Sequence, residues 1–470
     1  MAGLISDILR NAQALGYHGR AVETAGHNLA NQNDPSYARQ RLALKDALSI
    51  DKGFAGVEPG GVTSFGREHA RSMILDRQIT EGAGEVAYAQ AHRDVRDELQ
   101  IALGEQIDRQ SSATSLDTTP ESDTVEGSLS KAIDEFFNAF QELSATPTDS
   151  AQKEVLYQRA GMMVKRFNLV DERIERVRSN LQEKLSDDIA KVDGLVAEIA
   201  ELNNLIQKLE YKQRGLAVDL RDERQEAIEE LGNLVSISSL HLNKHQIGIT
   251  AKTDGGDVVL VDINGAAGDF ANEGAGTLNF DPSRGSIAGL QDAEAVIDKL
   301  KNENIDPLAS QLVIAVNAAY NAGGDPAGNF FIPDNTAAGT MALAAELAPE
   351  NVKVSVTTFP GANDIAQGVA LLAKQSFSVA GGDTINGTFS EFISTTASRV
   401  GQDLRTAESD LEMISIAEQG IISQRQEMGS VNMDEEVTDL LRYQRAFQAS
   451  SKVISTLDQM LETVVTGLIR

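Results

Sequence analysis

The sequence predicts a mainly α protein, a long helical-bundle rod whose N- and C-terminal coiled-coil helices meet and which carries a small inserted β region. Heptad patterns at both ends predict the terminal helices, and a three–four repeat of apolar residues predicts the rod. One stretch with the period of β-strands predicts the insertion. Within the 470 residues, we expect a terminal coiled-coil core domain from 1–45 and 430–470, a rod domain from 46–235 and 286–429, and a β insertion at 236–285.

The C-terminal helix, predicted over 431–468, carries the clearest heptad pattern. Large apolar residues recur seven apart, and a second set follows three residues after each of them over about four heptads. Charged and amide side chains occupy much of the opposite face. An apolar stripe of this kind needs a partner helix, from the same chain or from another copy. Its residues are Leu440, Tyr443, Phe447, Ser450, Ile454, Leu457, Leu461, Val464 and Leu468.

The N-terminal helix, predicted over 3–33, is the candidate partner. Its apolar residues also fall seven apart, and small residues beside them would let another backbone approach closely. Each glycine costs a lone helix roughly 1 kcal/mol, so we expect this helix to be marginal until it is packed. The pattern fits a helical hairpin within one chain and a seam between copies about equally well. The heptad residues are Ile8, Leu15, Val22 and Leu29.

The long rod is predicted from the middle of the chain. An extended, Gly-rich segment at 37–65 is followed by helical patterns at 68–106 and 128–144, and by a nearly continuous one at 151–235. A helix of that length would span on the order of 100 Å at 1.5 Å per residue. The clearest three–four spacing is that of Val192, Leu195, Ile199, Leu202, Ile206 and Leu209.

The apolar period changes at about Ser236, and short strands are predicted around Ile249 and at 258–261. A helical pattern returns at 287–322. We expect 340–388 to form only a loosely packed helix-and-loop region.

Composition excludes several classes of protein. The 41 basic and 70 acidic residues leave a net charge of −29, which argues against binding to nucleic acid, because neutralising phosphates requires clustered Lys and Arg. It also argues against an anionic membrane surface. The sequence has no window of about 18 unbroken apolar residues, so no segment is predicted to span a membrane. The chain has no cysteine, so it forms neither a disulfide nor a thiolate metal site.

No catalytic, cofactor-binding or metal-binding residue is predicted, and we expect no enzymatic activity. His241 and His245 have ligand-like spacing but no third ligand nearby, so solvated loop histidines are the better interpretation. The motifs of phosphate-binding loops, dinucleotide sites, nucleophile elbows and zinc peptidases are absent from the sequence.

A motif near the N-terminus resembles a signature of the bacterial flagellar axial proteins. Residues 28–37, Asn-Leu-Ala-Asn-Gln-Asn-Asp-Pro-Ser-Tyr, are similar to the family pattern Asn-x-x-Asn-x-x-Thr-Pro-Gly-Tyr. The following Ala-Arg-Gln resembles its continuation in the hook-associated branch. Asp34 and Ser36 depart from the family's Thr and Gly, and Ser tolerates a positive φ less well than Gly. The motif residues are Asn28, Asn31, Pro35, Tyr37, Arg39 and Gln40.

The end of the chain carries the matching C-terminal signature. It begins with Val-Asn-Met-Asp-Glu-Glu at 431–436 and continues with Tyr-Gln-Arg-Ala-Phe-Gln-Ala-Ser at 443–450. Two specific motifs at opposite termini, in the family's order, identify the chain as similar to the hook-associated branch. Within it, both motifs favour the members that form the hook–filament junction over the third hook-associated protein and flagellin.

The resemblance implies a structural subunit that acts by helix packing and self-assembly. Its implied partners are a ring of its own copies, the flagellar hook protein, the third hook-associated protein and a flagellar export chaperone. It also implies a secreted flagellar protein, exported without a cleaved signal peptide. We expect the free ends to be disordered until they assemble. The predicted assembly or chaperone interface comprises Ile8, Leu15, Val22, Leu29, Leu440, Tyr443, Phe447, Ile454, Leu457 and Leu461.

Two other classes of protein remain as alternatives. A cytoplasmic coiled-coil adaptor could carry heptads at both ends, and it would have stably folded termini. An acidic hydrolase would need a pocket with perturbed carboxyl groups, to which the sequence gives no pointer.

Overall fold

The fold is mainly α with small antiparallel sheets, as the sequence predicted. The computed structural model describes residues 2–33, 37–46, 50–51, 57–58, 62–104, 128–211, 215–243, 246–253, 256–262, 283–324, 328–357, 359 and 361–468. Its helices are α1 (Ala2–Ala30), α2 (Met73–Leu103), α3 (Leu129–Ala145), α4 (Ser150–Glu210), α5 (Val218–Leu234), α6 (Ser286–Leu300), α7 (Asp306–Tyr320), α8 (Asp364–Leu372), α9 (Phe389–Gly429) and α10 (Met433–Leu468). A π-helical turn, Lys301–Ile305, joins α6 to α7.

The strands form three small antiparallel sheets in the described part of the chain. The Gly-rich segment after α1 gives β1 (Gln40–Asp46), β2 (Ile50–Asp51), β3 (Val57–Glu58) and β4 (Val62–His69), in which β1 pairs with β4 and β2 with β3. The predicted insertion gives the meander β5 (Ile237–Asn243), β6 (Gln246–Thr253) and β7 (Gly256–Val261). Residues 263–282 of that insertion lie outside the described residues.

The prediction of one nearly continuous helix over 151–235 is wrong. Helix α4 has 61 residues and ends at Glu210, and α5 begins at Val218. The Glu210 carboxylate accepts hydrogen bonds from the backbone N–H groups of Gly215 and Ala217, so the side chain satisfies donors that a continuing helix would have used. Gly215 has φ +79°, a left-handed conformation that ends helical geometry.

The chain forms two compact units. One comprises Met1–Ala87, Ile189–Gly285 and Ile414–Arg470, and the other comprises Tyr88–Asp188 and Ser286–Met413. The sequence predicted a finer division, into three domains with other bounds. That division stays a prediction.

In the second unit, aromatic side chains of α3 form the centre of the core. Phe136 is fully buried and its ring lies 5.2 Å from Phe140 and 5.7 Å from Phe330, measured between ring centroids. Tyr320 packs against Phe330, and Phe389 packs against Phe137, in the same cluster. Edge-to-face rings at these distances are favourable beyond the area that they bury.

Residues 340–388 are more closely packed than the sequence predicted. They lack long helices, but apolar side chains spaced along them enter the core of the second unit. These residues are buried without being spaced at a helical period. The apolar pattern of the sequence therefore did not predict their burial. The buried residues of this segment include Met341, Leu347, Val352, Val354, Ile365, Val369, Phe377 and Ile385.

Candidate functional site

The two terminal helices pair with each other within the first unit. Helix α1 packs along α10 in the same chain. Of the two arrangements that the heptads allowed, the single chain therefore adopts the intramolecular hairpin.

The predicted seam residues of α10 lie on its inward face. They are half-buried, except Phe447 and Val464, each of which is 39% exposed, and Leu468, whose side chain lies outside the described part of the structure. The Phe447 ring lies 3.7 Å from the position that a Cβ of Gly19 would occupy, so the small residue on α1 accommodates the large one on α10. Tyr17 and Tyr443 meet edge to face, with ring centroids 6.4 Å apart. The half-buried seam comprises Leu440, Tyr443, Ile454, Leu457 and Leu461.

On α1 the predicted heptad is half-buried, and the most buried line runs beside it. Ile8, Leu15, Val22 and Leu29 are all of intermediate exposure. Small and polar side chains are buried more deeply than these residues, because α1 also contacts β1 and β4. The most buried residues are Ala21, Thr24, Ala25 and Asn28.

Outside the half-buried seam both helices expose apolar side chains, and Met433, Val437 and Leu441 lie four residues apart on one side of α10, which is called the outer face below. Leu441 of α10 is 49% exposed and Leu9 of α1 is 61% exposed. Large apolar side chains exposed at neighbouring positions of a helix, such as Val437 and Leu441, are typical of a surface that binds another protein. The exposed apolar residues of the two helices are Ile5, Leu9, Met433, Val437, Leu441, Val453, Met460, Val464 and Val465.

Asn28 joins α1 to the connector and to α10. Its side chain is nearly fully buried, and its Nδ2 donates to the Gln40 carbonyl at 2.9 Å and to Glu436 Oε2 at 3.0 Å. Its Oδ1 accepts from the Gln40 N–H at 3.0 Å and from the Tyr37 hydroxyl at 2.8 Å. All four hydrogen-bonding positions of the amide are therefore filled.

Tyr37 is held between Asn28 and His27. Burial, followed by the negative charges of Asp219 and Asp222, raises the pKa of the Tyr37 phenol, which keeps its proton in place. That single proton points to Asn28, so His27 Nδ1, 3.0 Å from the phenol oxygen, must act as the donor to it. Asn31 Nδ2 lies 3.4 Å from the His27 ring nitrogens. Pro35 lies outside the described residues.

Arg39, in the connector after α1, is a buried cation that pairs with carboxylates at the start of α10. Its Nε lies 2.5 Å from Glu436 Oε1, and its Nη1 donates to Glu435 Oε2 at 2.7 Å. Burial by itself lowers the pKa of Arg39, but the hydrogen bond to Glu435 and the charge of Glu436 outweigh it and raise that pKa. Arg39 and Glu436 form a buried ion pair, with 11% and 4% of their side chains exposed.

Gln40 and the backbone of Arg39 extend this network to other elements. Gln40 Nε2 donates to Asp219 of α5 at 2.7 Å, and its Oε1 accepts from Arg67 of β4 at 3.2 Å. The Arg39 N–H donates at 3.0 Å to the carbonyl of Gly429, at the end of α9. Asn28, Tyr37, Arg39, Gln40 and Glu436 are called the Asn28 cluster below.

Sequence reasoning missed part of this site. Glu436 stood in the C-terminal motif, but no local signal gave its partner, which lies 408 residues away. Asp219 and Gly429 gave no signal at all, because each contributes only through an element that the fold brings close.

Metal-binding clusters and membrane-spanning helices are both absent from the described residues. No group of three or more His, Asp or Glu side chains in the described ranges could hold a metal ion. His245 and the side chain of His241 lie outside those ranges. Among the described helices, none is long and apolar enough to cross a membrane.

The sequence is similar to those of known flagellar proteins. The profile of the flagellar hook-associated protein FlgK helical domain matches residues 113–331, and that of the flagellar basal body rod FlgEFG protein C-terminal region matches residues 422–467. The chain is 24% identical to flagellar hook-associated protein 1 of Bacillus subtilis over 97% of each chain. It is 20% identical to that of Salmonella typhimurium over 95% of this chain and 96% of the relative.

One solved structure is also similar, the flagellar hook junction protein FlgK from Burkholderia pseudomallei. The match has 16% sequence identity and a TM-score of 0.42, and it covers 55% of this chain and 46% of that one.

Proposed function

Because this chain belongs to the family of flagellar hook-associated protein 1, we propose that it is a structural subunit of the bacterial flagellum at the junction between hook and filament. It acts by helix packing and self-assembly. One observation supports this most directly: the α1–α10 hairpin of a single chain leaves an apolar outer face uncovered.

The mechanism is lateral and axial packing of copies through that face. Leu441 and Val437 lie four residues apart, as neighbours on the α10 surface. Burying them against a second hairpin would remove their apolar surface from water. Each Å2 buried stabilises the assembly by about 25 cal/mol. A ring of copies, with the flagellar hook protein on one side and the third hook-associated protein on the other, would supply those surfaces.

The seam residues have a second use before assembly. The C-terminal helix would be held by a flagellar export chaperone that covers Leu440, Tyr443, Phe447, Ile454, Leu457 and Leu461. The protein would then leave through the flagellar export apparatus without a cleaved signal peptide and function outside the cell. No catalytic step, metal ion or cofactor enters this function.

The test places a charge on the outer face of α10 and measures assembly. In cells that lack the native gene, Leu441→Glu is expected to reduce swimming at least tenfold and to leave hooks without filaments under the electron microscope. A carboxylate buried in an apolar interface without a partner is strongly unfavourable. Helix content of the purified variant, measured by circular dichroism, should equal that of the unmodified chain, because Leu441 is exposed in the single chain.

The matched control is Ser451→Glu, which places the same charge at an exposed polar position of the same helix. We expect it to preserve swimming. Normal filaments with Leu441→Glu would contradict the proposed interface. Normal filaments in cells that lack the gene altogether would favour the coiled-coil adaptor, whose function does not require an assembled flagellum.

A further inference from the structure

The apolar contacts between α1 and α10 do not define how far one helix is shifted along the other. Heptad residues repeat every seven positions, so a shift of one heptad brings equivalent side chains together again. The contact also includes small side chains that interlock weakly, such as Gly19 and Ala21 of α1 and Ala446 and Ser450 of α10. Such a seam supports pairing in more than one register.

The Asn28 cluster is different, because it is satisfied in one register only. Asn28 and Glu436 are 1% and 3% exposed, and both sit where the two helices and the connector meet. A shift of one heptad would move Glu436 away from Asn28 by about 10 Å at 1.5 Å per residue. The amide would lose its fourth hydrogen bond, and the buried Arg39 would lose the carboxylate 2.5 Å from its Nε.

Leaving buried charged and polar groups without partners is much less favourable than rearranging an apolar seam. We propose that Asn28 and Glu436 are register-determining residues of the α1–α10 pair, whereas the apolar seam provides affinity without register. A single buried polar residue acts in this way in coiled coils.

The consequence for assembly rests on the proposed function. The register decides which exposed residues of α10 stand beside Leu9 and Ile5 of α1, and therefore which apolar surface the chain offers to a neighbouring copy. The register itself is a property of the single chain.

The absence of cysteine from the chain allows a direct test. Cysteines at positions 19 and 447 report the native register, because the Phe447 ring lies 3.7 Å from the Cβ position of Gly19. Gly19→Cys combined with Leu440→Cys, or with Ile454→Cys, reports a shift of one heptad in either direction. A short thiol-reactive cross-linker is applied to dilute protein, and the yield of the intramolecular product is measured by mass spectrometry.

We expect the native pair to exceed both shifted pairs at least tenfold when the cluster is intact. Asn28→Leu with Glu436→Leu replaces the interhelical hydrogen bond by an apolar contact and should bring a shifted pair to within about threefold of the native pair. The matched control is Thr24→Val, which removes a different buried polar group of α1. The Thr24 hydroxyl donates its hydrogen bond within the helix, to the Arg20 carbonyl. It should keep the tenfold preference.

Retention of the tenfold preference in the double variant, with unchanged helix content, would overturn the proposal. If the double variant does not fold, Glu436→Leu alone decides, because Asn28 keeps its bonds to Tyr37 and Gln40. An unchanged preference there would also overturn it. The measurement uses purified single chains, so it is independent of flagellar assembly and its outcome is separate from that of Leu441→Glu.

Discussion

At the scale of single residues, the described part of the chain contains two kinds of buried side chain. Asn28 is buried because every one of its polar positions has a partner, and those partners come from two segments, the connector and α10. Phe136 is buried because other aromatic rings surround it. The first kind specifies an arrangement, and the second kind stabilises the fold by removing apolar surface from water.

Phe136→Ala should destabilise the second unit by about 3–5 kcal/mol, because it removes a fully buried ring and leaves a cavity. Urea unfolding followed by circular dichroism measures the loss. Phe359→Ala is the matched control, since its ring is 78% exposed, and it should change the free energy of unfolding by less than about 0.5 kcal/mol. Equal effects of the two substitutions would show that the aromatic cluster is not the core.

His92 gives a prediction of pH dependence. Burial, and then the neighbouring positive charge of Arg96, lower the pKa of His92 below its usual value of 6.5, while Asp292 opposes them. Arg96 Nη1 lies 2.5 Å from His92 Nδ1, so this nitrogen accepts and the ring is neutral in the folded chain.

Because the unfolded chain binds the proton more readily, stability is fully present above about pH 6.5 and is lost as the pH falls from there through the folded pKa. Thermal unfolding between pH 7 and pH 5 should therefore give a shallower pH dependence for His92→Gln than for the unmodified chain. Identical pH dependence for the two proteins would contradict the neutral His92.

At the scale of elements, the end of α4 shows how a helix boundary can depend on a distant segment. Gly215 adopts φ +79°, and a Cβ there would lie 2.4 Å from the carbonyl oxygen of Arg67 in β4. The Arg67 N–H donates to the Gly215 carbonyl at 3.3 Å. The α4–α5 turn is therefore shaped to fit β4, and it requires glycine.

Gly215→Ala should destabilise the first unit by about 1–3 kcal/mol through backbone strain, and by more if β4 cannot move aside. Gly161→Ala is the matched control, because Gly161 is inside α4 with nothing within 4 Å of its Cβ position. It should instead stabilise the chain by about 0.5–1 kcal/mol. Thermal unfolding measures both, and the same sign for the two variants would contradict the close contact.

At the scale of the whole molecule, burial is distributed unevenly among the helices. Helix α3 buries seven of its residues, whereas in α10 most described side chains are half-buried or exposed and Glu436 is the one that is nearly fully buried. Helices with little burial open at a low free-energy cost. The sequence-based expectation of disordered ends in the free chain rests on the same reasoning.

Hydrogen–deuterium exchange of the purified chain should therefore find the slowest amides in α3 and much faster exchange in α10, by at least a hundredfold. Assembly should slow exchange in α10 and leave α3 unchanged. Protection of α10 equal to that of α3 in the free chain would contradict this and would support the coiled-coil adaptor.

Local sequence patterns determined the mainly α class, the terminal helices and the strands of the β insertion, because periodicity depends on neighbours within a few residues. The motif residues were named instead from their resemblance to the signatures of the flagellar axial proteins. The fold decided that α1 pairs with α10 within one chain, that α4 ends at Glu210, and that Glu436 meets Asn28 across 408 residues. These features depend on contacts between distant segments, and heptads that repeat every seven residues carry no information about register.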